Sequence, residues 1–167
     1  MENKNKILSR EEIRNKLVRL AWQIYENNLG ESEIFLVGIK GRGEIICSEL
    51  SIILNDISSL KINLGVITLN KDQPSLNKIS TNFDKINCTN KIVILIDDVL
   101  NSGKTLMYAN ASFLNIKLKK LSNLVLVNRT HTRFPVKADY IGFSLATTLQ
   151  EYITVVLDGV EQGVYLS

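Results

Sequence analysis

Nine consecutive residues, Asp97-Asp98-Val99-Leu100-Asn101-Ser102-Gly103-Lys104-Thr105, carry the densest chemistry in the chain. Two adjacent acids are followed by a small, hydroxyl-rich turn containing a glycine. A turn that opens a helix presents backbone N–H groups lacking intrahelical acceptors, and these attract an anion. Gly103 lets that backbone approach a phosphate without a Cβ in the way. Ser102 and Thr105 add hydroxyl donors and Lys104 adds positive charge. Carboxylates repel phosphate but suit a sugar diol, or a divalent cation held through water. Acids beside an anion cradle therefore point to a ligand carrying both ribose hydroxyls and phosphate. Two other readings stay open on these residues alone. One is a solvated strand end. The other, a nucleotide-triphosphatase loop ending in Gly103-Lys104-Thr105, needs glycine five positions before Gly103, and that residue is Asp98.

The elements that must position this loop follow from the patterning. Ile92-Val93-Ile94-Leu95-Ile96 is the most apolar run in the chain and predicts a central parallel strand, which the two acids end. A helix is predicted over 104–117. Ser9 and Glu12 form a capping-box pattern that opens a first helix, with Ile13, Leu17, Leu20, Ala21, Ile24 and Tyr25 at helical spacing and Trp22 expected in the core. A strand over Ile34–Ile39 leads into the turn Lys40-Gly41-Arg42-Gly43 and a second helix with its apolar stripe at Ile45, Ile46, Leu50, Ile53 and Leu54. Further strands are predicted over 60–69, 124–127, 140–141 and 153–157. The segment 70–90 is polar, contains Pro74, and exceeds the usual connection length, which points to an active-site cover. Strand and helix alternate, as in an α/β fold with a mainly parallel sheet, where ligands collect at the carboxyl ends of the strands.

Composition bounds the alternatives. The chain has 167 residues, 45% apolar and 22% charged, which fits one domain able to bury its own core. A net charge of +3 does not by itself indicate nucleic acid. The two cysteines, Cys47 and Cys88, form no CxxC pair and fit a reducing, cytoplasmic setting. No apolar run is long enough to span a membrane.

The stretch from Ile92 to Thr105 resembles the phosphoribosyl-diphosphate motif of type I phosphoribosyltransferases: an apolar strand, two acids, then Ser/Thr-Gly-x-Thr. Leu36–Gly43 is similar to that family's diphosphate loop. Arg129-Thr130-His131 and Pro135–Gly142 resemble the region closing over the base. The resemblance covers Ile7 to Tyr165 and is strongest to the branch of bifunctional pyrimidine-operon attenuators and uracil phosphoribosyltransferases. It implies the type I fold, a twisted sheet flanked by helices with a small hood, over residues 1–167. The flap would occupy about 70–90, and the hood would form from the N-terminal and 129–167 segments.

By that resemblance, Asp97, Asp98, Val99, Asn101, Ser102, Gly103, Lys104 and Thr105 hold the ribose phosphate, with Asp97 and Asp98 orienting Mg²⁺ through water. Ile39, Lys40, Gly41, Arg42 and Lys71 meet the diphosphate, and Asp97, Asp98 and Arg42 carry the catalysis. Asn128, Arg129, Tyr140 and Ile141 meet the base, Tyr140 by stacking. The 6-oxopurine enzymes place Asp where this chain has Asn101 and Lys where it has Asn128, so purine is disfavoured. The pyrimidine relatives carry Asp at Asn128 and Lys at Phe143, so this pocket departs from both. The resemblance implies phosphoribosyl diphosphate, a nucleobase or a nucleoside monophosphate as ligands, and a homodimer. Two further readings accompany uracil transfer: a nucleotide-responsive RNA-binding regulator, with Arg10, Arg14, Lys16 and Arg19 as basic candidates, and a non-catalytic ligand-binding homologue.

Overall fold

The computed structural model of the chain describes residues 5–146, 148 and 151–167. The chain opens with a short strand, β1 (Asn5–Ser9), and helix α1 (Arg10–Glu26). Ser9 caps that helix reciprocally. Its Oγ accepts from Glu12 N at 3.3 Å, and its own N–H donates to Glu12 Oε2 at 2.8 Å. The predicted face is buried at Ile13, Leu17, Leu20, Ala21 and Ile24. Trp22, expected in the core, is 44% exposed. It falls off the buried stripe and leans on Tyr25, ring centroids 6.2 Å apart.

The frame of the site is a six-stranded sheet. β2 (Glu33–Ile39) leads into α2 (Arg42–Ile57), then β3 (Lys61–Thr68) and the two-residue β4 (Ser80–Thr81). β5 (Ile92–Leu100) is followed by α3 (Lys104–Ala111), β6 (Lys120–Arg129) and β7 (Tyr140–Leu145). The strand order is β4-β3-β2-β5-β6-β7, parallel except for β4. From the centre, chain progression runs outward in opposite directions, so the order reverses between β2 and β5. A crevice opens at such a switch point, beyond the carboxyl ends of the two strands.

The continuous apolar runs have a simple cause. Successive strand residues face opposite sides, and both sides are covered. Ile34, Leu36, Ile94, Ile96, Leu124 and Leu126 pack with α1 and α2, whereas Phe35, Val37, Val93, Leu95 and Val125 pack with Leu106 and Ala109 of α3. Fully burying side chains of this size contributes about 1.5–3 kcal/mol each before conformational entropy is subtracted.

Three expectations are corrected. First, the helix after the acidic loop ends at Ala111, well short of 117. Polar side chains draw off its carbonyls: Asn110 Nδ2 donates to Leu106 O at 2.6 Å and Ser112 Oγ to Ala109 O at 2.8 Å. Second, the segment 70–90 is not a uniform loop. Its second half is pinned to the sheet, because Ser80–Thr81 pair with β3, and Ile79, Phe83 and Cys88 pack into the α3-side core. Third, β5 runs on through Leu100, two residues past the acids expected to end it.

A separate three-stranded antiparallel sheet joins the two ends of the chain. It has the order β1-β9-β8, with β8 (Ile153–Val156) and β9 (Gly163–Leu166). β1 and β9 have no counterpart in the pattern reading, since each is short and half polar.

Candidate active site

The acids sit at the switch point and are deeply buried, Asp97 2% and Asp98 6% exposed. Being neighbours on a strand, they turn to different cations. Asp97 Oδ1 stands 3.0 Å from Lys71 Nζ, and Asp98 Oδ2 stands 3.4 Å from Arg42 Nη1 at the start of α2. Lys71 also lies 3.8 Å from Asp98 Oδ1. The Asp98 N–H donates to Asp97 Oδ1 at 2.9 Å, which locks the first carboxylate in place. Burial, and then the negative charge of Asp98, push the Asp97 carboxyl up to about 7, and the Lys71 ammonium pulls it part of the way back.

Directly after the acids the backbone becomes an anion cradle. Gly103 caps α3 with φ 87°, and Gly41 caps α2 with φ 100°; side chains rarely take either torsion. A Cβ on Gly103 would also meet Val136 Cγ1 at 2.6 Å. The loop is held from behind, since Ser102 O accepts from Arg133 N at 2.9 Å and Phe134 N at 3.0 Å. The N–H groups of Thr105 and Leu106 belong to the first turn of α3 and have no intrahelical acceptor.

A cavity of about 240 Å³ lies against this turn, lined among others by Lys71, Asp97, Val99, Asn101, Ser102, Gly103 and Thr105. A phosphate and a sugar fit a space of that size and polarity. A larger cavity, about 290 Å³, lies between α1, α2 and the strand ends near Leu157. It contains none of the residues expected to hold a sugar phosphate, so the smaller one has the chemistry.

The remaining expected residues divide. Arg42 reaches the acids with a half-exposed side chain. The Lys40 side chain is exposed, but its backbone N–H is used by Ile67 O at 2.9 Å. Ile39 is 1% exposed and packs in the α3-side core, so only its backbone borders the loop. Arg129 at the end of β6 reaches across to Asn101, with Nη1 2.7 Å from Oδ1. Asn128 instead turns to β7, its Nδ2 3.4 Å from Ser144 Oγ. Tyr140, expected to stack on a base, is a core residue. It is 3% exposed at the start of β7, its ring packs in the α1–α2 core, and its hydroxyl accepts from Asn28 Nδ2 at 3.5 Å. Ile141, expected to read a base edge through its backbone, has its carbonyl taken by Arg19 Nη2 at 2.9 Å. The chain from Arg133 to Val136 backs the Ser102–Gly103 turn, a support the sequence does not announce. No local pattern marks such a contact, which joins segments about thirty residues apart.

Among the described residues no group of three or more His, Cys, Asp or Glu side chains is placed to hold a metal. The two aspartates still fit Mg²⁺. They are hard oxygen donors already facing an ammonium, and Mg²⁺ is commonly held by one or two carboxylates together with waters and substrate phosphates.

The comparisons with known proteins agree with this geometry. A family model described as a phosphoribosyl transferase domain matches residues 4–157. The Bifunctional protein PyrR of Chloroflexus aurantiacus is 35% identical over 176 residues, covering 99% of this chain and 97% of that protein. The protein of the same name from Clostridium acetobutylicum is 32% identical over 171 residues, covering 97% and 95%. Among solved structures, a hypoxanthine-guanine phosphoribosyltransferase from Bacillus anthracis superposes with a TM-score of 0.71 at 25% identity, over 90% of this chain and 85% of that one. A hypoxanthine phosphoribosyltransferase of Trypanosoma cruzi gives 0.74 at 16% identity, over 89% and 84%, and shares the fold alone.

Proposed function

We propose that this chain, which belongs to the phosphoribosyltransferase family, transfers the phosphoribosyl group of 5-phosphoribosyl-1-diphosphate to uracil, giving UMP and diphosphate. The single observation that carries the reading is one cavity lined both by the buried carboxylate of Asp97, with Asp98 next to it on the strand, and by the start of α3, where the Thr105 and Leu106 N–H groups have no intrahelical acceptor. Uracil is favoured by the chain's resemblance to the uracil phosphoribosyltransferase branch, and purine is disfavoured by Asn101, whose amide cannot take a proton from a purine nitrogen.

The roles follow from position. The Ser102 and Thr105 hydroxyls, Lys104, and the N–H groups opening α3 hold the 5-phosphate. Val99 and Asn101 border the sugar. Asp97 and Asp98 accept hydrogen bonds from the ribose hydroxyls once Lys71 has swung away. Gly41 with the side chains of Lys40, Arg42 and Lys71 meets the diphosphate, where cations offset the charge developing on the leaving group. In the reaction the C1–oxygen bond to diphosphate breaks with its electron pair leaving on that oxygen, while the base nitrogen forms the new bond to C1. The proton on that nitrogen departs to solvent or to the diphosphate, and no covalent intermediate with the chain is needed. Bound Mg²⁺ would supply further neutralisation of the diphosphate. The flap is residues 70–78, because from Ile79 onward the segment is anchored to β3 and the core. Its closure excludes water from the cationic transition state.

A second activity, nucleotide-responsive RNA binding, belongs to the proposal because the sequence resembles the pyrimidine-operon attenuators, and the relatives are named bifunctional. Exposed Arg10 and Arg14 on α1 support it, and salt-sensitive binding to an RNA hairpin tests it. We also propose a homodimer, testable by sedimentation, and a cytoplasmic setting, in keeping with the two free, buried cysteines.

A nucleobase panel with phosphoribosyl diphosphate and Mg²⁺ tests the main reading. Diphosphate release with uracil is expected, reduced by about 10²-fold or more in Asp98→Asn. Ligand binding without release for any base would instead support a non-catalytic sensor.

A further inference from the structure

The turn that opens α3 is held by a segment distant from it in the chain. Ser102 O accepts two bonds from the β6–β7 connection, one from Arg133 N at 2.9 Å and one from Phe134 N at 3.0 Å. A trans peptide carries its N–H opposite its carbonyl, so the Gly103 N–H points away from that connection. Gly103 takes a left-handed torsion, φ 87°, and the helix starts at Lys104. Successive N–H groups in such a turn converge on one concavity suited to an anion. The connection is stiff where it meets the turn. Pro135 has a fixed φ, Val136 N donates to Phe134 O across it at 2.8 Å, and the Val136 side chain packs against the α3-side core.

One buried side chain bolts this connection to the sheet. Asn123 lies on β6 and is 7% exposed. Its Nδ2 donates to Lys137 O at 3.1 Å, and its Oδ1 accepts from Asn110 Nδ2 of α3 at 3.0 Å. Its backbone pairs twice with Asp139: Asn123 N donates to Oδ2 at 2.9 Å, and Asn123 O accepts from Asp139 N at 2.8 Å. We infer that Asn123 is a positioning residue for the 5-phosphate. It clamps the β6–β7 connection, and the connection fixes the Ser102–Gly103 peptide with its N–H turned to the anion. The inference rests on the cavity being the phosphoribosyl site proposed above. It adds a residue that acts from outside the cavity, eighteen positions beyond the end of the 97–105 loop.

Equilibrium binding of UMP and uridine to the full chain tests this. The two ligands differ only in the 5-phosphate, so the ratio of their affinities reports the turn alone. The wild type is expected to favour UMP by about a hundredfold or more. Asn123→Asp keeps an acceptor for Asn110 but cannot donate to Lys137 O, and it should lower the ratio about tenfold or more. Pro135→Gly loosens the connection at an exposed position and should lower the ratio as well. Leu20→Ala truncates the core on the α1 side, away from the connection, and should leave the ratio unchanged although the chain is destabilised. An unchanged ratio in both Asn123→Asp and Pro135→Gly, or an equal fall in Leu20→Ala, overturns the inference while leaving the proposed function standing. A wild-type chain that binds UMP no better than uridine, or binds neither, overturns the proposed placement of the 5-phosphate, and this inference with it.

Discussion

Lys71 Nζ stands 3.0 Å from Asp97 Oδ1 and 3.8 Å from Asp98 Oδ1, so a residue of the β3–β4 connection places its ammonium against the two buried carboxylates at the centre of the sheet. On the function proposed above, that ammonium stands where a sugar diol or a hydrated metal would be received. This arrangement offsets the like-charge repulsion between two buried acids, and it must be undone before they can serve a ligand.

Removing that ammonium should leave the acids uncompensated. Lys71→Met is expected to lower the melting temperature of the ligand-free chain by a few degrees, about 1–2 kcal/mol given that Lys71 is half-exposed. Adding Mg²⁺ should then stabilise the variant more than the wild type, because the metal no longer competes with an internal cation. Thermal unfolding with and without Mg²⁺ checks both effects, and equal shifts in the two proteins would contradict the competition.

The buried state of Asp97 gives a pH dependence of definite sign. Its carboxyl is raised from the ordinary value to about 7, by burial first and Asp98 second. The folded chain therefore binds a proton that the unfolded chain releases, and stability from this group falls as pH rises from about 4 to about 7. The slope is at most about 1.4 kcal/mol per pH unit. Asp97→Asn removes the titration, so the variant should gain stability relative to wild type as pH rises through that window and level off above it. Urea unfolding at pH 5, 6, 7 and 8 measures the difference, and a gap of constant size would rule out Asp97 as its source.

Gly103 is subject to two constraints at once, a φ of 87° and the approach of Val136 Cγ1 to 2.6 Å of where a Cβ would sit. Gly103→Ala should cost about 1–3 kcal/mol of stability and weaken phosphoribosyl diphosphate binding more than tenfold. Adding Val136→Ala, which clears the side-chain clash but not the torsion, should recover part of the stability. No recovery would place the whole cost in the backbone.

Tyr140 supplies a control. As a core residue it should tolerate Tyr140→Phe with less than about 1 kcal/mol lost and no change in which base binds, while Tyr140→Ala costs about 3–5 kcal/mol. A change in base preference in Tyr140→Phe would return the residue to the ligand pocket.

The site was legible where chemistry and chain order coincide. The acids, the glycine turn and the helix start are contiguous, so residues 97–105 carry both the turn into α3 and the ligand class proposed for it. The strands of the central sheet were legible because burial on both faces leaves unbroken apolar runs. Tyr140 was misplaced because a strand residue's exposure depends on which face it takes, and that depends on α1 lying over it. The second half of 70–90 was misplaced for a related reason: Phe83 and Cys88 are single apolar residues in a polar stretch, and only the core they enter explains them.

Taken alone, the sequence determined the fold class and the turn that opens α3 directly after the paired acids, since each depends on residue type and short spacing. Tertiary structure decided which side chains meet around the acids and the turn. Lys71 reaches Asp97 across 26 residues, Arg42 reaches Asp98 across 56, and Arg129 reaches Asn101 across 28. Contacts of that separation are set by strand order and register, which place β2, β5 and β6 side by side and which no local pattern encodes.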